Sequence, residues 1–426
     1  MTEKYSKLVI ENIKKLVYEK SSNQRWSEVF SNCFDNTLET TVKITELGDT
    51  FVITGDIPAM WLRDSSAQIK PYLAVVNQDP RIKQLICGLV DRQIKCILLD
   101  PYANAFNETA NSHCYHQDLT EMNSWIWERK YEVDSLCYPI ELAYLLWKKT
   151  GETSHFTNAF KQAAKLIIEV FKTEQRHEHS LYRFERFGER PEDTLSNDGV
   201  GEPCGFTGMT WSGFRPSDDS CTYNYLIPAN MFAVVILRYL EEIFKTIYKD
   251  NALAEKSKLL SIEIDQGICE WGIVEHQGKK VYAYEVDGLG NYLLMDDANV
   301  PSLLAAPYLG YCSIDDEIYQ NTRKLLLSDQ NPYYYKGTYL RGIGSEHTPK
   351  NYVWPIALCI QGLTADNQDE KVELLNTLVQ TDAGTNHMHE GINVNDPKSY
   401  TREWFSWANM MFCELLLDYL EIRKLE

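Results

Sequence analysis

Thirteen carboxylates stand where helical periodicity lapses: Asp56, Asp64, Asp118, Glu121, Glu132, Asp134, Asp218, Asp219, Asp296, Asp297, Glu346, Glu390 and Glu403. Many have a Trp, His or Arg within a few positions, as in "MWLRD" (60–64), "WSGFRPSDD" (211–219), "GSEHT" (344–348) and "HMHEG" (387–391). This mixture suits a sugar. Apolar C–H faces of a pyranose lie on indole, while its hydroxyls are clamped by carboxylates and guanidinium groups. Hydrolysing a glycoside takes two carboxyl groups, one protonated to assist the leaving oxygen and one ionised on the other side of the scissile bond. Trp61, Arg63, Asp64, Glu132, Asp134, Trp211, Arg215, Glu346 and His347 are the residues whose chemistry and place in these strings suit a sugar pocket.

Each has a plainer reading. Arg63 and Asp64 are also a structural ion pair at a helix start. Glu132 and Asp134 are also first-turn carboxylates that complement a helix dipole. His347 and His389 are also hydrogen-bonded loop residues. Glu390 precedes Gly391, so its plain reading is a solvated turn carboxylate, against which stand the tryptophans of "TREWFSW" (401–407). Asp218 and Asp219 precede a long apolar run, so either could cap a helix or serve as a catalytic acid.

Other chemistries find little support. There is no GxxxxGK[ST], no GxGxxG opening a helix and no GxSxG elbow. "HCYH" (113–116) and "HMHE" (387–390) pair histidines, but no HExxH or closed-finger spacing accompanies them. No cofactor and no metal are expected. A diphosphate-binding toroid would need a second acidic partner and basic ligands, which "SDDSCT" does not offer.

Helices must position these loops. Apolar residues recur at i, i+3 and i+4 near 5–20, 25–36, 65–77, 80–99, 134–149, 155–174, 222–248, 251–270, 299–311, 314–328, 353–364, 368–380 and 403–424. "CYPIELAYLLW" (137–147) and "MFAVVILRYL" (231–240) are apolar nearly all round and read as buried on several sides. "TVKIT", "TFVITG", "SLYRFERF" and "KVYAYEV" read as short hairpin strands. Six long decorated segments lie between helices: 55–66, 107–134, 202–220, 285–301, 341–355 and 386–407. They hold seven of the 10 Trp. Exposed tryptophan wastes its burial energy, and loops this long are uncommon unless functional. About a dozen helices with six decorated loops predict an all-α fold, an (α/α)6 barrel with short β-hairpins in its connections. With no Pro- or Ser-rich linker, residues 1–426 read as one catalytic domain.

The bulk numbers narrow the partners. Net charge is −19, which opposes nucleic acid and acidic membranes. The 11 Cys are an odd number without a CxxC, and several lie in apolar helices, so a reducing, cytoplasmic setting is expected. The N-terminal stretch carries charges throughout and lacks a signal peptide's apolar core.

"TGDIPAMWLRDSSAQIKPY", "ERKYEVDSLCYPIELAY", "GMTWSGFRPSDDSCTYNYLIPANMF", "LLMDDANVPSLLAAPYLGY" and "YVWPIALCIQGLT" together resemble glycoside hydrolase family 125, over about residues 50–410. That family comprises exo-acting α-1,6-mannosidases related to fungal meiotically up-regulated proteins. The resemblance implies an (α/α)6 barrel and metal-independent, inverting removal of a terminal non-reducing mannose from α-1,6-linked mannose oligosaccharides, as in N-glycan degradation. An Asp of "RPSDD" would be the general acid and Glu390 the general base. Where the family pattern has an aromatic or Ser–Phe pair soon after that Glu, this chain reads "GIN". Asp218 is the expected acid, with a pKa raised among aromatics such as Trp211 and Phe214, and Asp219 is the alternative. The remaining competitors are an inverting (α/α)6 enzyme acting on α-glucosides, a calcium-dependent mannosidase and a non-catalytic carbohydrate-binding protein.

Overall fold

A computed structural model describes residues 4–188 and 190–422. Thirteen α-helices appear among them, in chain order α1 (Lys7–Lys20), α2 (Gln24–Asn36), α3 (Leu62–Ile69), α4 (Pro80–Leu99), α5 (Val133–Thr150), α6 (Asn158–Glu174), α7 (Ser196–Gly199), α8 (Ile227–Thr246), α9 (Asn251–Gly267), α10 (Glu317–Leu326), α11 (Pro355–Leu363), α12 (Gln368–Gln380) and α13 (Ser406–Tyr419). All strands are short and belong to two- or three-stranded sheets. Twelve helices answer the periodic segments; α7 is a single turn. The expected helix end at 423–424 lies outside the described residues, as do the first three residues of the N-terminal stretch.

Two expectations fail. Residues 299–311 form successive turns rather than a helix. Pro307 falls inside the periodic run and has no N–H to give a helical ladder. The "SLYRFERF" segment forms only an isolated bridge, Leu119 with Glu185.

The helices are of two kinds. In α2, α6, α9, α10 and α12 a polar side chain caps the first turn: Asn23, Thr157, Asp250, Asp316 and Asn367 each accept a backbone N–H. Such caps suit helix ends that face water. In α3, α8, α11 and α13 the N-cap is Trp61, Leu226, Trp354 or Phe405, with no side-chain cap. Their first turns are buried, and short extended segments run into them. Ile227 N–H donates to Tyr284 O (2.8 Å), and Ser406 N–H to Thr54 O (3.1 Å). Helix starts built in this way leave no room for a capping Ser or Asp and bring aromatic residues to the helix mouth.

The chain divides into two compact units. One holds 1–93, 142–155 and 334–426; the other holds 94–141 and 156–333. In the first, α13 is buried from Ser406 to Leu417 and packs on α2, α3, α11 and α12. A sheet of Tyr352–Val353, Gly391–Asn393 and Asp396–Thr401 precedes the mouths of α11 and α13. In the second, α8 is buried from Ile227 to Leu237 and packs along α9. A sheet of Tyr225–Leu226, Glu285–Val286 and Tyr292–Leu293 precedes α8. Gly55 has φ 134°, and a Cβ there would stand 2.6 Å from Trp404 O, so only glycine lets the two chain segments bridge at this point.

Candidate active site

Functional side chains gather at helix mouths in both units. In the first unit the centre is Arg402. Its Nη2 and Nε meet the two oxygens of Asp56 at 2.5 and 3.1 Å, and its Nη1 stands 3.4 Å from Glu390 Oε1. Burial alone would lower the pKa of this guanidinium; Asp56, Glu390 and Asp64 raise it. Its Cζ lies 4.4 Å from the centroid of the Phe405 ring.

Glu390 is 5% exposed. It enters the central strand Gly391–Asn393 with its N–H on Thr401 O (3.3 Å), so it is a buried carboxylate at a strand's start and not a solvated turn residue. Trp61 caps α3; Arg63 and Asp64 lie in its first turn, buried, with Arg63 Nε 3.7 Å from Asp64 Oδ2. Arg63 also lies 5.9 Å from the Trp407 ring. Trp354 and Phe405 meet edge to face at 6.2 Å. Thus α3, α11 and α13 bring their N-terminal residues close to one another. His347 is half-buried, 6.4 Å from the Trp354 ring, while Glu346 beside it is exposed. His389 stacks on Tyr400 at 3.8 Å, and its ring nitrogens meet Glu403 O and Thr385 Oγ1. Burial lowers its pKa, and both ring nitrogens are satisfied within the loop.

In the second unit "GFRPSDDS" is a hairpin, which corrects the expectation of a helix cap. Phe214 bridges Ser220, Arg215 N–H donates to Asp219 O (2.7 Å), and Asp218 N–H donates to Arg215 O (2.9 Å). Helix α8 begins only at Ile227. Pro216 sets the turn, and Asp218 takes φ 67°, a left-handed conformation that Asp tolerates better than most residues. The two aspartates therefore point differently. Asp219 is fully buried with Oδ1 3.2 Å from Arg190 Nη2. Asp218 is half-buried, with Oδ1 3.4 Å from Asn104 Nδ2. Its carbonyl accepts from Lys130 Nζ at 2.5 Å, and the same ammonium lies 3.3 Å from Asp193. Burial raises the Asp193 pKa, but Lys130 and Arg190 bring it below its usual value.

Glu132 and Asp134, both buried, flank the start of α5. Glu132 accepts from Ser135 Oγ at 2.8 Å and lies 3.5 Å from Asn104 Nδ2. Trp211 and Arg215 brace the hairpin. Trp211 is fully buried, stacks on His177 at 3.5 Å and packs its edge near Gly201 and Gly213. That makes it a wall behind the loop instead of a ring offered to a ligand. Arg215 Nε meets Glu285 Oε1 at 2.6 Å, and Glu285 Oε2 accepts the N–H groups of Thr222 and Tyr223.

Asn104, Lys130, Arg190 and Arg402 were not singled out in the sequence. Arg402 lies inside the decorated segment 386–407 and carried the clearest available signal. Asn104, in "DPYANAF", carried none. Among the described residues, no three His, Cys, Asp or Glu side chains gather as metal ligands.

Residues 23–417 match the family described as metal-independent α-mannosidase of glycoside hydrolase family 125. The chain is 56% identical to a Streptococcus pneumoniae protein solved in a non-productive complex with α-1,6-mannobiose. That likeness covers 99% of this chain and 100% of the other, with a TM-score of 0.98; the structure is described among metal-independent α-mannosidases that process N-linked glycans. It is 40% identical to the Schizosaccharomyces pombe meiotically up-regulated gene 157 protein, over 95% of this chain and 84% of the other. A bacterial glucoamylase bound to acarbose shares the fold at 12% identity and a TM-score of 0.63, over 96% of this chain and 57% of that one.

Proposed function

Because the chain belongs to the metal-independent α-mannosidases of glycoside hydrolase family 125, we propose that it is an exo-acting enzyme that removes terminal non-reducing mannose from α-1,6-linked mannosides with inversion. One observation carries the α-1,6 reading: the Streptococcus pneumoniae relative, matched over nearly the whole of both chains, binds α-1,6-mannobiose.

Asp218 is the general acid and Glu390 the general base. A water attacks C1 and gives its proton to Glu390. The C1–O bond breaks, and the leaving oxygen takes the proton of Asp218, so charge and atoms balance in one displacement. The proposal requires the two carboxyl groups to stand about 6.5–9.5 Å apart, with room for that water. The choice of Asp218 is supported by its partial exposure, whereas Asp219 is fully buried and held by Arg190. The Arg402 contact supports Glu390 as base.

Trp61, Arg63, Asp64, Glu132, Asp134, Glu346 and His347 contact the sugars. Trp211, Arg215 and Asp219 hold the acid's hairpin.

The architecture is one (α/α)6 catalytic domain over residues 1–426. Polar-capped helices and helices with a large apolar N-cap alternate from α11 to α13 and across α2–α3 and α8–α9, as outer and inner members of helix pairs would, and the turns at 299–311 stand between the polar-capped α9 and α10, where an inner helix would fall. No described helix is long and apolar enough to cross a membrane. The odd count of 11 cysteines without a CxxC supports a reducing, cytoplasmic setting in which short mannosides are the substrate.

Mannose release from a panel of α-linked disaccharides tests the function. Turnover of α-1,6-mannobiose well above that of the α-1,2- and α-1,3-linked isomers and of α-glucobioses is expected. Equal or greater activity on an α-glucobiose would overturn it.

A further inference from the structure

The structure assigns Asn104 as the positioning residue of the general acid: its amide fixes which oxygen of Asp218 carries the proton. The inference rests on the reading of Asp218 as that acid.

Asn104 is fully buried between α4 and the strand Ala105–Phe106. The orientation of its amide is set from one side, because Lys130 N–H donates to Asn104 Oδ1 at 3.1 Å. The NH2 end must therefore face the other way, where three carboxylates converge on it. Nδ2 lies 2.9 Å from Glu128 Oε1, 3.4 Å from Asp218 Oδ1 and 3.5 Å from Glu132 Oε1. An amide nitrogen has two hydrogens to give. One goes to Glu128, and the other is shared between Asp218 and Glu132.

Glu128 is itself immobile. Its other oxygen accepts from Arg186 Nη2 at 2.8 Å, and Arg186 forks onto Asp118 with two contacts of 2.8 Å. Asn104 thus ties Asp218 to a fixed ion-pair network. The backbone of Asp218 is anchored too, through its N–H on Arg215 and its carbonyl on Lys130. The main chain of Asp218 is thus held on both sides.

A protonated carboxyl accepts at its carbonyl oxygen and donates from its hydroxyl. An N–H aimed at Oδ1 makes Oδ1 the carbonyl oxygen and leaves the proton on Oδ2, ready for the glycosidic oxygen. Loss of that N–H removes the hydrogen bond that marks Oδ1 as the carbonyl oxygen. A misplaced reacting group costs turnover without weakening substrate binding to match.

The test compares two substrates. α-1,6-Mannobiose needs a proton on its leaving oxygen, whereas α-mannosyl fluoride releases fluoride without one. Asn104→Ala should lower kcat on mannobiose by about 10- to 100-fold, leave KM within a few-fold and lose much less on the fluoride. Retained fluoride turnover also shows that the variant is folded. Asn104→Ser, which keeps a donor, should recover part of the mannobiose rate. Asp218→Asn serves as reference: it should lose mannobiose turnover by about 10²- to 10⁴-fold and keep far more of its fluoride turnover. If Asp218→Asn shows no such selectivity, the reading of Asp218 is wrong. If it does, while Asn104→Ala and Asn104→Ser lose both substrates equally or neither, the assignment of Asn104 is overturned.

Discussion

Adjacent aspartates with one backbone step between them have been given different work by a five-residue turn. Pro216 and the left-handed φ of Asp218 turn its carboxyl toward Asn104, while Asp219 is drawn to Arg190. The two variants should therefore separate. Asp218→Asn should leave the thermal midpoint nearly unchanged and lower mannobiose turnover by about 10²- to 10⁴-fold. Asp219→Asn strips a buried partner from Arg190, whose side chain is 38% exposed. Solvent makes up part of that loss, so the cost should be about 1–2 kcal/mol in urea unfolding, with turnover reduced but measurable. Near-wild-type turnover in Asp218→Asn, or complete loss in a well-folded Asp219→Asn, would reverse the assignment. Residue types alone left this string open between a helix cap and a catalytic acid. They did not reveal the turn. The apolar run after it suggested a helix from 222, whereas the sheet pairing of Tyr225–Leu226 delays α8 to Ile227. Asn104 was beyond reach for another reason: an amide has no characteristic spacing, and its meaning lies in three carboxylates distant in sequence.

At the scale of elements, helix periodicity was legible because burial imposes it. The all-round apolar run 231–240 is buried from Met231 to Leu237, inside α8, and breaks only at the exposed Arg238 and half-buried Tyr239. Residues 299–311 misled because an apolar pattern records burial and not backbone conformation; Pro307 and the turn bonds decide the latter. The junction of α5 and α6 offers a pH test. His155 is 5% exposed and its Nε2 meets Ala143 O at 3.0 Å. Burial lowers its pKa from 6.5 to about 4, with the Ala143 carbonyl and Glu152 opposing. The unfolded chain therefore takes up the proton first. This contribution to stability is present above pH 6.5 and is lost as pH falls toward 4. Urea unfolding should show about 2 kcal/mol less stability from this residue at pH 5 than at pH 7. His155→Gln, which keeps a donor, should remove that part of the pH dependence. An unchanged pH slope in the variant would contradict the account.

At the scale of the whole molecule, two features make predictions. The chain passes between its two compact units at 93/94, 141/142, 155/156 and 333/334, and the first two of these points lie inside α4 and α5. A helix shared in this way couples the melting of its halves, so the proposed single domain should unfold in one calorimetric transition. Two resolved transitions would instead favour separate domains. The net charge of −19 should leave kcat/KM on a neutral mannoside nearly insensitive to salt, since no long-range field steers an uncharged substrate. A several-fold change between low and high ionic strength would point to a charged substrate. The central claim is that Asp218 and Glu390 carry out a single displacement at the anomeric carbon. Proton NMR of the mannose first released from α-1,6-mannobiose, recorded before mutarotation, tests it most directly. The account predicts the β-anomer; initial appearance of the α-anomer would mean retention and contradict it.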